Sequence, residues 1–247
     1  DNYVNNQTFP SGGQSEQVWT YYDEAVSGIS LNGNGQQHLH QRVSWVRTTE
    51  GNNTYYSYDP HGNVAWMVQR VNGLGDFTVE YDYDLYTNNV LQVSYQEGLK
   101  DQFFHRYHYD MDNRITLVET STDGVIWDRD AHYEYYAYGP LARTELGEDD
   151  LQGLDYIYTL QGWLKAINDP SLSYHDDGQD GLAGTTHEKT ARDAFGMALT
   201  YYDGDFDRTN HPMGFTNGTA GAKATAANRD LYNGNIKIGR ASCRERV

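Results

Sequence analysis

The chain has 247 residues, a net charge of −17 and one Cys, a length that suits one large domain or two small ones. Leu (17), Ile (7), Val (14) and Phe (7) make up only 18% of it, a share that with high charge ordinarily signals disorder; adding 22 Tyr and 5 Trp brings the total to 29% and points instead to a core built from tyrosine. The acidity excludes a nucleic-acid partner, which would call for a basic stripe, and no apolar run approaches the ~18 residues of a membrane span.

Residues 1–55 read as an N-terminal β segment with a degenerate repeat at Tyr21-Tyr22-Asp23. It opens at Asp1 with neither an initiator Met nor a signal-peptide pattern. His38 and His40 would share one strand face, but no third ligand accompanies them.

Residues 56–168 repeat. Five segments share the start Tyr-x-Tyr, at Tyr56, Tyr81, Tyr107, Tyr136 and Tyr156, spaced 25, 26, 29 and 20 residues apart. The first runs Tyr56-Ser57-Tyr58-Asp59-Pro60-His61-Gly62-Asn63-Val64. The second, Tyr81-Asp82-Tyr83-Asp84 to Val90, is one residue longer. The third is Tyr107-His108-Tyr109-Asp110-Met111-Asp112-Asn113-Arg114-Ile115. The fourth, Tyr136-Ala137-Tyr138-Gly139, has Gly in place of Asp, and the fifth, Tyr156-Ile157-Tyr158-Thr159-Leu160-Gln161-Gly162-Trp163-Leu164, has Thr there.

Tyr-x-Tyr puts both rings on one face of a strand, because the side-chain period is two. The Asp that follows can accept hydrogen bonds from the backbone ahead of it and start a turn. Gly62 or Asn113 then supplies the positive φ such a turn needs. Val64, Val90, Ile115 and Leu164 begin the return strands. A second kind of turn closes the other end, at Asn72 to Asp76, Gln96 to Gly98 and Thr122 to Gly124, with Val125 and Trp127 expected to open the next strand. The residues therefore predict an all-β fold, an array of antiparallel β-hairpins in which each unit needs neighbours to bury its Tyr face. The only hint of helix is a weak Ala-rich turn at 222–227.

Residues 169–237 become sparser in Tyr and richer in Asp, Gly, Thr and Ala, and read as a loop-rich continuation of the sheet. Phe195 to Tyr202 and Leu231 to Ile236 are expected strands, and His175 to Gly181 a solvated loop. Residues 238–247 carry three Arg and the only Cys in an otherwise acidic chain. This run looks like one reading frame of a common sequencing adapter and is expected not to be native, which leaves Cys243 without a catalytic role.

The unit Tyr-x-Tyr-Asp-x-x-(Gly/Asn)-(Asn/Arg)-(Val/Ile) resembles the YD repeat of RHS-repeat proteins, the third copy most closely. Arg143-Thr144-Glu145-Leu146, Leu160 to Asn168, Phe195-Gly196-Met197 and Leu231 to Ile236 resemble segments of the RHS core region of the Bacteroidetes type. The resemblance covers about Tyr56 to Ile236. It implies a hairpin array that spirals into part of a β-sheet shell, as in polymorphic toxins, insecticidal toxin complexes and teneurins. It also implies a secreted or cell-surface protein whose partners are the rest of the shell and a C-terminal cargo domain, toxic in some relatives. The self-cleaving aspartate site of many relatives would fall beyond Ile236, so no catalytic residue carries over.

Other readings of the residues are weaker. Asp176 to Gly181 lacks the spacing and closing Glu of an EF-hand. His105 and His108 would face opposite sides of a strand, and His187-Glu188 lacks the second His of a zinc-protease motif. No metal or other cofactor is expected. A glycosidase needs two flanking carboxylates, and nothing singles out such a pair. Aromatic faces could stack on glycans in an adhesion module, but one platform would not need five copies. The expectation is a structural segment with no catalytic constellation.

Overall fold

A computed structural model of the chain describes residues 16–170, 172, 178–202 and 233–243. The Ala-rich turn at 222–227 and residues 231–232 of the strand expected at Leu231 to Ile236 lie outside these; residues 233–236 form a turn and irregular chain, not a strand. Among the described residues there is no helix, and no helix is long and apolar enough to cross a membrane.

The chain forms two compact units, Asp1–Arg106 with Ser121–Ile126, and Tyr107–Thr120 with Trp127–Val247. The first holds strands β1 (Val18–Tyr22), β4 (Val43–Thr48), β5 (Asn53–Tyr58), β6 (Val64–Val71), β7 (Gly75–Tyr83), β8 (Val90–Tyr95) and the start of β9 (Phe103–Tyr109). They pair antiparallel in that order. A small hairpin of β2 (Ser30–Leu31) and β3 (Asn34–Gly35) lies in the segment between β1 and β4. The second unit runs β10 (Ile115–Ser121), β11 (Asp128–Tyr135), β12 (Leu141–Leu146), β13 (Gln152–Tyr158), β14 (Leu164–Ile167), β15 (Phe195–Thr200) and β16 (Ile238–Cys243), again antiparallel in chain order. The hairpin array expected from the alternation is the observed fold.

The turns follow from local chemistry. Asp59 Oδ1 accepts from the Gly62 and Asn63 amides at 2.6 and 2.8 Å, Asp84 Oδ1 from those of Tyr86 and Thr87, and Asp110 Oδ1 from those of Asp112 and Arg114. Gly62 and Asn113 take the left-handed conformation that the tight turn requires, with φ of 101° and 61°. Strand β11 starts at Asp128 rather than at Val125. The Asp123 carboxylate accepts from the Val125 and Ile126 amides and holds both in the turn.

The core differs from the expected one. Tyr56 and Tyr58 are half-buried, while Tyr55 and Ser57 on the opposite face of β5 are buried. Tyr55, Trp66 and Val68 pack with Ile29, flanked by Val26, Leu31, Trp45 and Ala65. The segment between β1 and β4 covers this face, clamped by the Gln36 amide, which accepts from Val26 N and donates to the carbonyls of Ser44 and Tyr56, all at 2.8 Å. In the second unit the buried cluster is Ile157, Ala166 and Ala198. Period-two alternation sorts residues onto two faces but does not say which face receives a cover.

Residues 238–243 pair along the whole of β15. An open sheet edge presents unpaired N–H and C=O groups to which an extended segment can pair.

Candidate functional site

One device recurs at the turn end of the hairpins. In several motifs the second Tyr pairs with the first residue of its own return strand across a register shift, as Tyr58 with Val64 and Tyr83 with Val90. The same holds for Tyr158 with Leu164. The shift, a bulge, re-aims the side chain. The Tyr58 hydroxyl donates to the Val43 carbonyl on the preceding return strand at 2.9 Å. Tyr83 donates to Val64 O at 3.0 Å, Tyr135 to Ile115 O at 2.7 Å, and Tyr201 to Leu164 O at 2.6 Å. Successive hairpins have no covalent link at this end, and the hydroxyl closes the seam.

At three of these seams the residue just before that carbonyl packs on the same ring. The Arg42 guanidinium lies 5.5 Å from the Tyr58 centroid and Arg114 4.5 Å from that of Tyr135. Trp163 meets Tyr201 at 5.0 Å. Three of the four seams thus combine one hydrogen bond with a cation–π or aromatic contact; at Tyr83 the corresponding residue is Asn63. Burial raises the pKa of Tyr58, Tyr83, Tyr109, Tyr135 and Tyr158 above the ordinary phenol value. Arg42 partly opposes this at Tyr58, as Arg114 does at Tyr135.

The register places the sequence-derived motif residues as follows. Tyr56, Tyr81, Tyr107 and Tyr156 hold the first position and Tyr58, Tyr83, Tyr109 and Tyr158 the second. The fourth copy is displaced by three residues from the reading above. Tyr133 and Tyr135 are its pair, since Tyr135 is the residue opposite Leu141 across the shift. Tyr136 takes the Asp position, with its amide on Pro140 O, and Tyr138 sits exposed in the turn. The run Tyr133-Glu134-Tyr135-Tyr136-Ala137-Tyr138 offers Tyr-x-Tyr twice, and only the offset to Gly139 and Leu141 separates the two. The echo at Tyr21-Tyr22-Asp23 is in register: Tyr22 faces Val43 across the same shift.

A second constellation lies in the second unit and is not repeated among the described residues. Arg143, only 3% exposed, donates from Nε to Glu145 at 3.1 Å, from Nη1 to Asp155 at 2.7 Å and from Nη2 to Asp180 at 2.6 Å. Glu145 also lies 3.4 Å from His132 Nδ1 and 3.5 Å from His187 Nε2, and His187 Nδ1 approaches Gly178 O at 2.9 Å. Burial opposes the charge on Arg143, but Asp155 and Asp180 outweigh it and hold the guanidinium pKa well above its usual range. Burial likewise pushes Glu145 up, and its bond to Arg143, the Arg143 charge and the neighbouring His132 and His187 together outweigh this and hold it below the usual range. Alongside, the buried Asn168 accepts from the Asp155 amide at 2.7 Å and donates to Asp193 at 2.7 Å. Gly153 and Gly178 wall the cluster so closely that a Cβ on either would overlap Arg143 and a carboxylate.

Chemically this is a charge-assisted clamp that ties the loop bearing Asp180 and His187 to β12 and β13. The structure overturns the reading of Asp180 as part of a solvated loop, because its side chain is fully buried against Arg143; His175 to Asp177 lie outside the described residues. The spacing of Arg143 and Glu145, two apart on β12, places both on one strand face, but only their burial shows that they need partners. Among the described residues no group of His, Cys, Asp and Glu is arranged to hold a metal ion.

No family model matches the chain, and no curated protein matches it. Solved structures similar in fold include the crystal structure of TcdB2-TccC3-Cdc42, at 12% identity over 65% of this chain with a TM-score of 0.47. That of TcdB2-TccC3 is 15% identical over 66%, also at 0.47. The Photorhabdus luminescens Tc holotoxin pore is 12% identical over 64%, at 0.45. The chain spans 8% of the length of each of these chains.

Proposed function

We propose that this chain is a structural segment of an RHS/YD-repeat protein, one stretch of a β-wall that encloses or presents another domain of the same polypeptide, and that it catalyses nothing itself. The observation that carries this reading is the seam. The same hydroxyl-to-carbonyl bond recurs at Tyr58, Tyr83, Tyr135 and Tyr201, so the second Tyr of three motifs, and Tyr201 after β15, join hairpin to hairpin. In an adhesion module those rings would be displayed to a glycan; here the seam hydroxyls are already engaged. A wall of this kind belongs in a secreted or surface-exposed protein, where an acidic surface also resists edge-to-edge association.

The test is protease mapping of the natural polypeptide that carries this segment. A shell would protect a second, non-repeat domain until the wall is loosened, whereas simultaneous digestion of everything would overturn the reading. A glycan array probed with the 247-residue chain covers the alternative: submillimolar binding to any glycan would favour adhesion.

A further inference from the structure

The small hairpin over the first unit's core turns on Asn32-Gly33, with φ of 50° and 80°, the two positive values of a type I′ turn. Both residues are exposed, and a Cβ on Gly33 would meet nothing within 4 Å. Among the described residues no hydrogen bond involves the Gly33 amide. The hairpin has two residue pairs, too few to resist local opening. An Asn before Gly is the place where a side-chain amide is most open to attack by the next backbone nitrogen, because no Cβ hinders the approach.

The Asn32 amide is also a latch. Its Nδ2 donates to Glu80 Oε1 of β7 at 2.8 Å. That bond ties the hairpin to the sheet beside the place where Ile29 and Leu31 pack on Tyr55, Trp66 and Val68. Glu80 stands in acidic company: burial first, then the charges of Glu97 and Asp82, raise its pKa against the lowering by Asn32. Asn34, Asn72 and Asn233 also precede Gly. Gly35 lies in a paired strand, the Asn72 amide donates to the Glu50 carbonyl at 3.3 Å, and a Cβ on Gly234 would press on Trp163 at 3.2 Å. Among the described residues none of these three amides donates to a carboxylate.

We propose that Asn32 is a self-modification site whose conversion to an acid unlatches the β2–β3 hairpin from Glu80. The Gly33 nitrogen, losing its proton to solvent, bonds to Asn32 Cγ; the Cγ–Nδ2 bond breaks, and Nδ2 takes up a proton and leaves as ammonia. Water then opens the succinimide to aspartate or isoaspartate. The new carboxylate stands where the amide stood, so a hydrogen bond becomes a contact between like charges and the cover over Tyr55 and Trp66 loosens. This goes beyond the wall reading and does not depend on it.

The test holds the 247-residue chain in mildly alkaline buffer and follows it by peptide mapping and amide hydrogen exchange. The amide-to-acid mass gain, with isoaspartate, is expected first in the peptide containing residues 32–33, and protection over 26–36 should fall in step with it. Asn32→Asp should reproduce that fall without incubation, with exchange about tenfold faster, the worth of one charge-assisted hydrogen bond. Glu80→Gln in the same background should restore most of the protection, since the glutamine amide can donate to the new carboxylate. Modification at Asn72 ahead of Asn32, unchanged protection in Asn32→Asp, or a loss that Glu80→Gln fails to restore would each overturn the proposal.

Discussion

In the first unit Tyr58 and Tyr83 each spend one neutral hydroxyl on one carbonyl; in the second, Arg143 alone gathers Glu145, Asp155 and Asp180. The seams are modest, half-buried and repeated, so the loss of one leaves its neighbours standing, as expected where stability is a sum over adjacent units. The Arg143 clamp is buried and occurs once among the described residues. It fixes a loop rather than a hairpin, and removing one partner strands the others without water. Repetition makes a wall tolerant, whereas concentrated charge makes one place in it specific.

Breaking the clamp should have the largest effect. Arg143→Met would leave three carboxylates without their counter-ion at a cost of about 3–5 kcal/mol, read as a lower denaturant midpoint with lost amide protection over 178–193. If protection persists, the loop is held by something else. Gly153→Ala should come next, at about 1–3 kcal/mol, because the added methyl overlaps Arg143 and Asp180. Tyr83→Phe removes only the seam hydrogen bond and should cost about 1 kcal/mol, with loosened exchange confined to β6 and β7. A cost as large as that of Arg143→Met would erase the distinction between the two regions.

The two ends of the pH scale separate them further. Folding raises the phenol pKa of Tyr58 and Tyr83 above the ordinary 10.0. Their contribution is therefore complete below pH 10 and is lost as pH rises from 10 through the folded values. Hydrogen bonds depress the turn carboxyls Asp84 and Asp110 below 3.8, from the Thr87 amide first in the one and the Arg114 amide first in the other. Their contribution is present above pH 3.8 and is lost as pH falls through the lower folded values. Amide exchange against pH should thus show hairpin ends opening first in alkali at the seams and first in acid at the turns. The smallest effect belongs to the exposed turn tips. Leu85→Ser, Met111→Ser and Leu160→Ser should each change stability by less than about 0.5 kcal/mol.

What could be read in advance was local. Period-two alternation and Asp-initiated turns act within a few residues, so the hairpins at Tyr56, Tyr81, Tyr107 and Tyr156 were visible before any coordinates. The fourth copy failed for an equally local reason: overlapping Tyr-x-Tyr pairs between 133 and 138 left the register ambiguous until Leu141 was seen opposite Tyr135. The candidate site was scarcely legible. Arg143 and Glu145 stood out only as part of a resemblance, and nothing in the order of residues links them to Asp180.

The amino-acid sequence alone determined the all-β class, the hairpin unit and its turn chemistry, because strand period and turn preference are properties of neighbouring residues. Only the tertiary structure decided which sheet face is covered, that the second Tyr of a motif reaches back to the previous hairpin, and that Arg143 meets a carboxylate 37 residues away. Those outcomes depend on which distant segments exclude water from one another, and a short window of residues does not contain that information.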